Sequence, residues 1–422
     1  MTVPQSHASD DALTPLVNSD DASTTFYSHG QSTDDRPKQQ QAVTAPKRLV
    51  SLDALRGVAV VFMILVNYQG MDPYKLLAHA DWFGFRAIAD QVFPLFLFVA
   101  GVATAFTYKK ERSLAKRPLV AKILKRFVLL FGIGLFLNGF PFTRPGLLQS
   151  WRIMGVLQRA AICYIVTTVI YIACSAKSYL IYYVYPMTLF TVWSCLTFLV
   201  YNPACQTRGA LSKKCCTETM FDTDLLGAHS YGPFDPEGTL STLPALLTSW
   251  SGLLVGIHIG NQNDRYKLIV RWMVVAAVLT CFAWALDNWI PIGKPLWTPT
   301  FMMLTTALSM ALFAIAIYVY DIQNLMVATT HMQQLYSSLL YAFVACGRNS
   351  TVIYIVSSLV SSTLRTIKLS TGLSLYQAMQ NTMFSSWLPQ GLSSLALSLF
   401  WTLVMVLPIG IVMDYNRIYI KL

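Results

Sequence analysis

Charged side chains are scarce in this chain: only 12% of its 422 residues are Asp, Glu, Lys or Arg, whereas 55% are hydrophobic. Soluble domains carry about twice that share of charge, so the composition excludes an ordinary soluble globular protein. Several enzyme signatures are also missing: a Walker-type phosphate loop, a Rossmann glycine fingerprint, an HExxH zinc motif and a GxSxG elbow. The HxxxxD acyltransferase pattern does not occur around His79, where HADWF is found.

What the chain has instead is a series of long apolar runs after residue 48. A membrane-spanning helix needs roughly 20 apolar residues. Runs bounded by charged or turn residues predict an all-α, polytopic membrane helix bundle of about ten transmembrane helices. They lie near 50–68, 91–108, 122–140, 153–174, 179–201, 244–260, 270–290, 300–320, 337–361 and 391–413. The moderately apolar segment 363–390 predicts a short or re-entrant helix, which leaves an eleventh span open.

Residues 1–47 differ in composition from the rest, being rich in Ser, Asp, Thr and Gln. Such a segment buries too little apolar surface to offset its ordering entropy, so we expect a disordered tail. We also expect no cleavable signal peptide, since the first apolar run begins only near Leu49. The predicted domain division is therefore a tail over 1–47 and a transmembrane domain over 48–422.

Basic residues concentrate in short loops, and this predicts the orientation of the bundle. The loop after the second span reads KKERSLAKRP, and further basic residues flank the first span, the 261–271 loop and the C-terminus. Alternating spans place all of these on one side, which should be cytosolic together with both termini. The net charge of +11 is explained in this way, so we expect no nucleic-acid partner.

The long connection 202–243 then faces the other compartment and holds Cys205, Cys215 and Cys216. Clustered loop cysteines are typical of an oxidising lumen or the cell exterior and predict a disulfide. The pairing stays open, and one of the three must find another partner or remain free. A zinc site is disfavoured because no second group of ligands has matching spacing, and we expect no metal.

Polar residues within or beside the spans are functional candidates because they are costly in a membrane. Near the cytosolic end are Asp53 and Arg56, three residues apart on one helical face, and the cations Lys125 and Arg126. Helix packing or lipid anchoring explains these equally well. Arg152 and Arg159, seven apart and flanking Gln158, share a face and need either anionic protein partners or an anionic ligand. The predicted topology brings four loop residues to the non-cytosolic face: His79, Asp235, Glu237 and Lys294.

Six blocks occur in an order that resembles the heparan-alpha-glucosaminide N-acetyltransferase family. They are RLVSLDALRGVAVVFMILVNYQG, KLLAHADWFGFRAIADQVFPLFLFVAGVATA, WRIMGVLQRAAICY, YGPFDPEGTLSTLPA, IPIGKPLWTPTF and CGRNSTVIYIV. The likeness covers residue 48 to about 420, as a short form without the luminal domain that precedes the first block in human-type members. A second histidine of the family corresponds to Ser357 here, which weakens any mechanism that needs two histidines.

The resemblance implies an acetyl-CoA-dependent transmembrane acyltransferase that acetylates an amino sugar, a glucosamine-type glycan end, on the luminal or external side. It assigns His79 as the active-site histidine and Asn67 as its neighbour. Arg152, the segment from Asp235 to Gly238, and Asn349 match further family blocks. It also implies a lysosomal, vacuolar or other endomembrane location, with acetyl-CoA, a glycan acceptor and the bilayer as partners and a homodimer as a candidate assembly.

Two mechanisms fit this assignment. Because imidazoles titrate near neutral pH, His79 would act as general base toward the acceptor amine, or it would carry the acetyl group itself. Asn67 would orient the imidazole or stabilise the oxyanion, and Arg56, Lys125 and Arg126 would hold the CoA phosphates. A transporter or flippase for an anionic or sugar-linked solute is the alternative function, and a catalytically silent scaffold the third.

Overall fold

The computed structural model describes residues 49–109, 116–143, 145–174, 178–262, 264–323, 325–326 and 331–420. The predicted tail, residues 1–47, lies outside these ranges, as do residues 110–115 of the basic loop. The described chain is almost entirely helical, which confirms the all-α fold class. Its α-helices are α1 (Val50–Asn67), α2 (Val92–Tyr108), α3 (Lys116–Gly139), α4 (Val156–Ala173), α5 (Tyr185–Leu199), α6 (Thr217–Leu226), α7 (Thr242–Asn261), α8 (Arg265–Leu286), α9 (Pro299–Ala316), α10 (His331–Arg348), α11 (Ser350–Thr366), α12 (Leu375–Gln380), α13 (Gln390–Trp401) and α14 (Leu407–Tyr415).

Shorter elements extend or join these helices. π-helical turns precede α5 (Leu180–Val184), follow α9 (Ile317–Ile322), follow α12 (Asn381–Ser385) and join α13 to α14 (Thr402–Val406). Two 3₁₀ turns, Leu147–Gln149 and Gly227–His229, lie in the connections. In the described residues the one sheet is a hairpin of β1 (Tyr201–Asn202) and β2 (Thr207–Arg208), paired antiparallel.

Within the described ranges, seven helical stretches are long and apolar enough to cross a membrane, or eight if α10 and α11 together form one span. Seven of the ten predicted spans coincide with them. Predicted spans 91–108 and 122–140 are also helices, but α2 has 17 residues and α3 carries five cations in its first half. The total of ten crossings therefore stays a prediction.

The predicted span 337–361 is wrong as a single helix, because the chain bends by 82° between α10 and α11. Asn349, at the bend, has a non-helical backbone (φ −123°, ψ 26°). Its side chain donates to the backbone of Ile418 at 3.0 Å and accepts from that of Ile420 at 3.4 Å. The bend is thus fixed by the C-terminal segment, which periodicity along 337–361 does not reveal. The short helix predicted within 363–390 is α12.

Close helix contacts depend on glycine where backbones touch. At Gly57 of α1 a Cβ atom would lie 1.7 Å from the backbone oxygen of Phe343, and at Gly347 of α10 one would lie 1.6 Å from that of Asp53. Only residues without a side chain allow such an approach, as in other membrane helix pairs. Large apolar side chains such as Val270, Val274 and Phe282 instead point outward from α8, as expected of a lipid-facing surface.

The connection 202–243 is a folded unit rather than an open loop. A disulfide joins Cys205 to Cys215, while Cys216 is buried with a free thiol. This settles the pairing that the sequence left open. Within the unit, α6 packs against α5 and contributes two buried acids, Glu218 and Asp222.

Glu218 gives the folded state a defined dependence on pH. Burial, reinforced by the charge of Asp222, raises the pKa of Glu218 to about 7, whereas a carboxyl in the unfolded chain ionises near pH 4.3. Between about pH 4.3 and pH 7, Glu218 therefore keeps its proton in the folded protein but loses it in the unfolded chain. The free energy of unfolding is then highest at acidic pH and falls as the pH rises to about 7. The loss amounts to about 4 kcal/mol.

We expect Glu218→Gln to remove that dependence, because the amide stays neutral at every pH. Thermal unfolding in detergent should find the variant more stable than wild type at pH 8 and close to it at pH 4. Asp224→Asn, on the exposed side of α6, should follow wild type throughout. Equal pH dependence in wild type and Glu218→Gln would contradict the prediction.

Candidate active site

His79 lies in the connection between α1 and α2, against a buried carboxylate. Its Nδ1 atom is 2.9 Å from Oδ1 of Asp90, whose side chain is fully buried, while the His79 side chain is 46% exposed. The second oxygen of Asp90 accepts backbone N–H groups from Ala80 at 3.2 Å and Arg86 at 2.9 Å. A carboxylate only accepts, so this pairing assigns the proton to Nδ1 and leaves Nε2 as the basic nitrogen.

Lys294, from the connection between α8 and α9, completes this cluster. Its Nζ atom is 3.4 Å from Oδ1 of Asp90 and 3.0 Å from Nδ1 of His79; because Nδ1 gives its proton to Asp90, the Lys294 ammonium pairs with the Asp90 carboxylate rather than with the imidazole. Burial lowers the pKa of the Lys294 ammonium, an effect that the Asp90 and Glu237 carboxylates oppose. Burial also disfavours ionised Asp90, but the hydrogen bond from His79, the charge of Lys294 and two backbone N–H groups hold its pKa below the usual value.

The 202–243 unit packs directly on the His79 connection. Nε1 of Trp82 donates to the backbone oxygen of Leu211 at 2.7 Å, and the rings of Trp82 and Phe234 lie 4.7 Å apart. On the other side, the N–H of Gly84 donates to the backbone oxygen of Ile292 at 2.7 Å. Three connections that are far apart in sequence therefore meet at one end of the bundle, as the alternation of spans predicted.

Arg152 is held by two carboxylates of the 202–243 unit. Its guanidinium donates twice to Asp235, at 3.0 and 2.6 Å, and once to Glu237 at 2.5 Å. Asp235 is fully buried and Glu237 is 18% exposed. The sequence left open whether Arg152 pairs with carboxylates of the protein or binds an anionic ligand. In the structure it pairs with carboxylates of the protein.

Arg159 points toward the same segment but from within α4. One nitrogen, Nη2, donates to the backbone oxygen of Gly238 at 3.2 Å and to the hydroxyl of Ser241. The guanidinium also lies over the ring of Trp297, 5.1 Å from its centroid. The side chain of the preceding Gln158 is buried beside it, and neither of its amide atoms has a hydrogen-bond partner among the described residues.

Asn67, in the last turn of α1, is separated from the His79 cluster. It lines a cavity of about 240 Å³ between α1 and α11. Within the described residues no hydrogen bond joins its amide to His79, whose Nδ1 is hydrogen-bonded to Asp90. Asn67 was predicted to orient the His79 ring, but in the structure the ring is hydrogen-bonded to Asp90 instead.

At the opposite end of the bundle, Asp53 and Arg56 belong to a network of ion pairs. Asp53 lies 3.6 Å from Arg56 and 4.0 Å from Arg348, and Arg348 contacts Asp414 at 2.7 and 2.9 Å. These contacts tie together the ends of α1, α10 and α14. Asn349, a predicted ligand residue, is bound to the C-terminal backbone beside this network.

The cations of α3 lie at that same end, next to tyrosine rings. The Arg126 guanidinium lies over Tyr164, 4.7 Å from the ring centroid, and Lys122 over Tyr108 at 5.6 Å. Lys125 is exposed on the same helix. Guanidinium and ammonium groups beside aromatic faces are suited to phosphate and base recognition, although the structure does not join this patch to Arg56.

Comparison with known proteins identifies a relationship that geometry alone does not. A family model described as "Heparan-alpha-glucosaminide N-acetyltransferase, catalytic" matches residues 48–206. The mouse protein named heparan-alpha-glucosaminide N-acetyltransferase is 27% identical over 379 residues, 77% of this chain and 55% of its own length. The human protein of that name is 29% identical over 378 residues, 76% of this chain and 54% of its own length.

The chain is thus similar to the heparan-alpha-glucosaminide N-acetyltransferase family, through the family model over residues 48–206 and through both relatives over about three quarters of its length. It spans about half the length of the two curated relatives. The region matched by the N-acetyltransferase family model contains Asn67, His79, Arg152 and Arg159, whereas Asp235, Glu237 and Lys294 lie beyond it.

Asp90 is the residue of this candidate site that the sequence did not single out. It is an acid eleven positions after His79, directly before the apolar run of α2. An ionisable group at the edge of a span is costly and therefore indicates a functional residue. The position of Asp90 was thus the feature of the sequence that could have identified it. Arg348 and Asp414 were missed for a different reason, because they meet only through the bend at Asn349.

The Arg152 pairing makes a testable contribution to stability. Arg152→Met leaves the buried Asp235 carboxylate without its counter-charge, which costs about 3–5 kcal/mol. We expect a clearly lowered unfolding temperature in detergent. Arg208→Met, which removes a loop arginine that lies over Tyr201, is the matched control and should change little. An Arg152→Met protein as stable as the control would show that the pair is not structural.

Proposed function

We propose that this protein transfers an acetyl group from acetyl-CoA on the cytosolic side to the amino group of a sugar on the other side of the membrane. The observation that carries the proposal is the His79–Asp90 pair, a partly exposed imidazole whose Nδ1 is held by a buried carboxylate at 2.9 Å. Such a pair presents a basic Nε2 to the compartment that the 202–243 unit faces. Similarity to proteins named heparan-alpha-glucosaminide N-acetyltransferase favours this function over the transporter alternative.

His79 would act on the proton that keeps the acceptor unreactive. The sugar ammonium gives one proton to Nε2 of His79, and the free amine then attacks the thioester carbonyl carbon. The C–S bond breaks as the C–N bond forms, and the second amine proton ends on the departing CoA thiolate. Asp90 stabilises the imidazolium without taking its proton. An acetyl-His79 intermediate would use the same residues in two steps.

The acidic residues near His79 suit a cationic acceptor. Arg152 is a single cation shared by Asp235 and Glu237, so the trio carries one excess negative charge. Glu237 is also close enough to Lys294 to influence its pKa, which places this charge near the His79 cluster. We propose that Glu237, the more exposed of the two acids, attracts the ammonium of the amino sugar.

Acetyl-CoA would approach from the opposite end. Lys125 and Arg126, with Arg56 on α1, supply cations for the CoA phosphates, and the tyrosines beside α3 offer faces for the adenine. Asn67 would donate to the developing oxyanion of the thioester. We propose an endomembrane location, lysosomal or vacuolar, with both termini cytosolic, and a homodimer as the assembly to test.

A thioester-release assay tests the proposal. Purified protein in detergent is mixed with acetyl-CoA and, separately, glucosamine, galactosamine, glucose or no sugar, and free CoA thiol is followed. We expect release that depends on an amino sugar and yields its N-acetyl form. Release with glucose alone would move the proposal to O-acetylation, and no sugar-dependent release would contradict it.

A further inference from the structure

Lys294 shares the buried Asp90 carboxylate with His79. Nδ1 of His79 lies 2.9 Å from Oδ1 of Asp90, the Lys294 ammonium lies 3.4 Å from the same oxygen, and 3.0 Å separates Nζ from Nδ1. Because Nδ1 gives its proton to Asp90, the ammonium and the imidazole approach one acceptor as two donors. The reaction proposed above uses His79 and Asp90 but leaves the ammonium beside them without a role.

The fold holds this ammonium in place. Lys294 lies in the turn between α8 and α9, where the N–H of Trp297 donates to its backbone oxygen at 3.0 Å. Its Nζ atom also lies 3.3 Å from the backbone oxygen of Ala89, the residue before Asp90, and the side chain is 23% exposed. Two acceptors of the α1–α2 connection thus fix the position of the charge next to the imidazole.

The remaining ionisable side chains that the structure links to this cluster are either exposed or paired elsewhere. They are Asp81 and Arg86 of the α1–α2 connection, and Arg152, Asp235 and Glu237. Arg86 donates to the backbone oxygen of Lys75 at 2.5 Å, and Glu237 is bound to Arg152. Burial lowers the pKa of Lys294, while the charges of Asp90 and Glu237 raise it and favour the ammonium. In the described part of the chain, Asp90 and Lys294 therefore form a neutral pair at His79.

This neutral pair changes how readily His79 takes up a second proton. A carboxylate alone beside Nδ1 would stabilise the imidazolium, because opposite charges a few ångströms apart attract strongly in a buried site. The imidazolium has no free nitrogen, and a general base has to be unprotonated at the pH at which it works. Lys294 cancels the Asp90 charge and repels a proton on Nε2, whereas the hydrogen bond from Nδ1 to Asp90 still fixes the tautomer.

We infer that Lys294 is a positioning residue: its charge, acting through Asp90, keeps the His79 imidazole neutral and able to act as a base at acidic pH. The inference rests on the proposed function, since a neutral imidazole is useful only if His79 removes the acceptor proton. Lys294→Gln removes the charge but keeps a group that donates to Asp90. We expect it to move the acidic limb of the pH–rate profile to higher pH by about one unit or more.

Chemical modification measures the same property without turnover. Diethyl pyrocarbonate transfers an ethoxycarbonyl group to neutral imidazoles but not to imidazolium, and mass spectrometry reports the modification of His79 at each pH. On the acidic side of the wild-type limb, we expect His79 to react about tenfold more slowly in Lys294→Gln than in wild type. Lys294→Met should behave like Lys294→Gln, which covers the case in which one neutral variant does not fold. Lys294→Arg keeps the charge and should behave like wild type.

Two controls separate the charge of Lys294 from the general electrostatics of this face. Lys75→Met removes an exposed cation from the same connection as His79. His229, whose Nδ1 contacts the backbone of Trp151, is an internal reference in every sample. The modification profile of His79 should not move in Lys75→Met, and that of His229 should not move in any variant.

The outcomes separate this inference from the proposed function. A shift in the neutral variants, but not in Lys294→Arg or Lys75→Met, supports it. His79 profiles that coincide in wild type and Lys294→Gln, or an equal shift in Lys294→Arg, overturn it, and acetyl transfer by wild type then leaves the proposed function standing. If wild type acetylates no amino sugar but the modification profile shifts as expected, the proposed function is wrong and the effect of Lys294 on the charge of His79 stands.

Discussion

Replacing His79 by alanine is expected to lower the rate of acetyl transfer by roughly 10²–10⁴-fold, the usual contribution of general-base catalysis. The imidazole lies between Asp90 and the open compartment, a position that suits removal of the acceptor proton. The side chain is 46% exposed and packs little, but its loss removes one hydrogen bond of the buried Asp90, so the free energy of unfolding should fall by about 1–3 kcal/mol while the protein still folds. The binding of acetyl-CoA, proposed at the far end of the bundle, should also be retained.

His229→Ala is the matched control for this experiment. His229 lies in the 202–243 unit at the same face, and its Nδ1 is 3.0 Å from the backbone oxygen of Trp151, away from the His79 cluster. This variant should transfer acetyl at close to the wild-type rate. A loss of less than tenfold in His79→Ala would be too small for a catalytic base and would return the transporter alternative to consideration.

Asp90→Asn is expected to have the second largest effect, again roughly 10²–10⁴-fold on turnover. An asparagine amide can donate to Nδ1, which would hold the imidazole in the tautomer whose Nε2 carries a hydrogen and cannot act as base. It also removes the anion that stabilises the imidazolium, so the acidic limb of the pH–rate profile should move to lower pH. A merely structural role for Asp90 would lower the amount of folded protein without moving that limb.

Two measurements keep this prediction separate from misfolding. The KM for acetyl-CoA should be unchanged in the Asp90→Asn protein that folds, since Asp90 lies far from the cations of α3. Asp81→Asn, an exposed acid two residues after His79, should retain wild-type kinetics. Equal losses in Asp81→Asn and Asp90→Asn would point to general electrostatics of the loop rather than to positioning of His79.

The fold class followed from apolar runs because helix formation in a membrane depends mainly on local composition. The meeting of His79, Asp235, Glu237 and Lys294 followed from counting spans, since alternation fixes which connections share a face. The break at Asn349 did not follow, because its cause is a contact with the chain about seventy residues later. Long-range contacts of this kind leave no trace in local periodicity.

The sequence predicted which residues belong to the candidate site better than it predicted which of them contact each other. Asn67 was expected to orient His79, but the structure gives this contact to Asp90, and Asn67 instead lines the cavity between α1 and α11. Arg152 was recognised as a buried cation needing an anion, yet only the folded 202–243 unit shows that Asp235 and Glu237 supply it. Such roles depend on which side chains meet in the folded protein, and a single sequence does not show those contacts.

A sided transfer measurement tests the central claim most directly. Protein reconstituted into sealed vesicles, with the cytosolic face outward, receives radiolabelled acetyl-CoA outside and glucosamine inside; neither solute crosses the bilayer unaided. The account predicts labelled N-acetylglucosamine inside wild-type vesicles and none inside His79→Ala vesicles. Labelled product that forms inside both at the same rate, or no internal product with wild type, would contradict it.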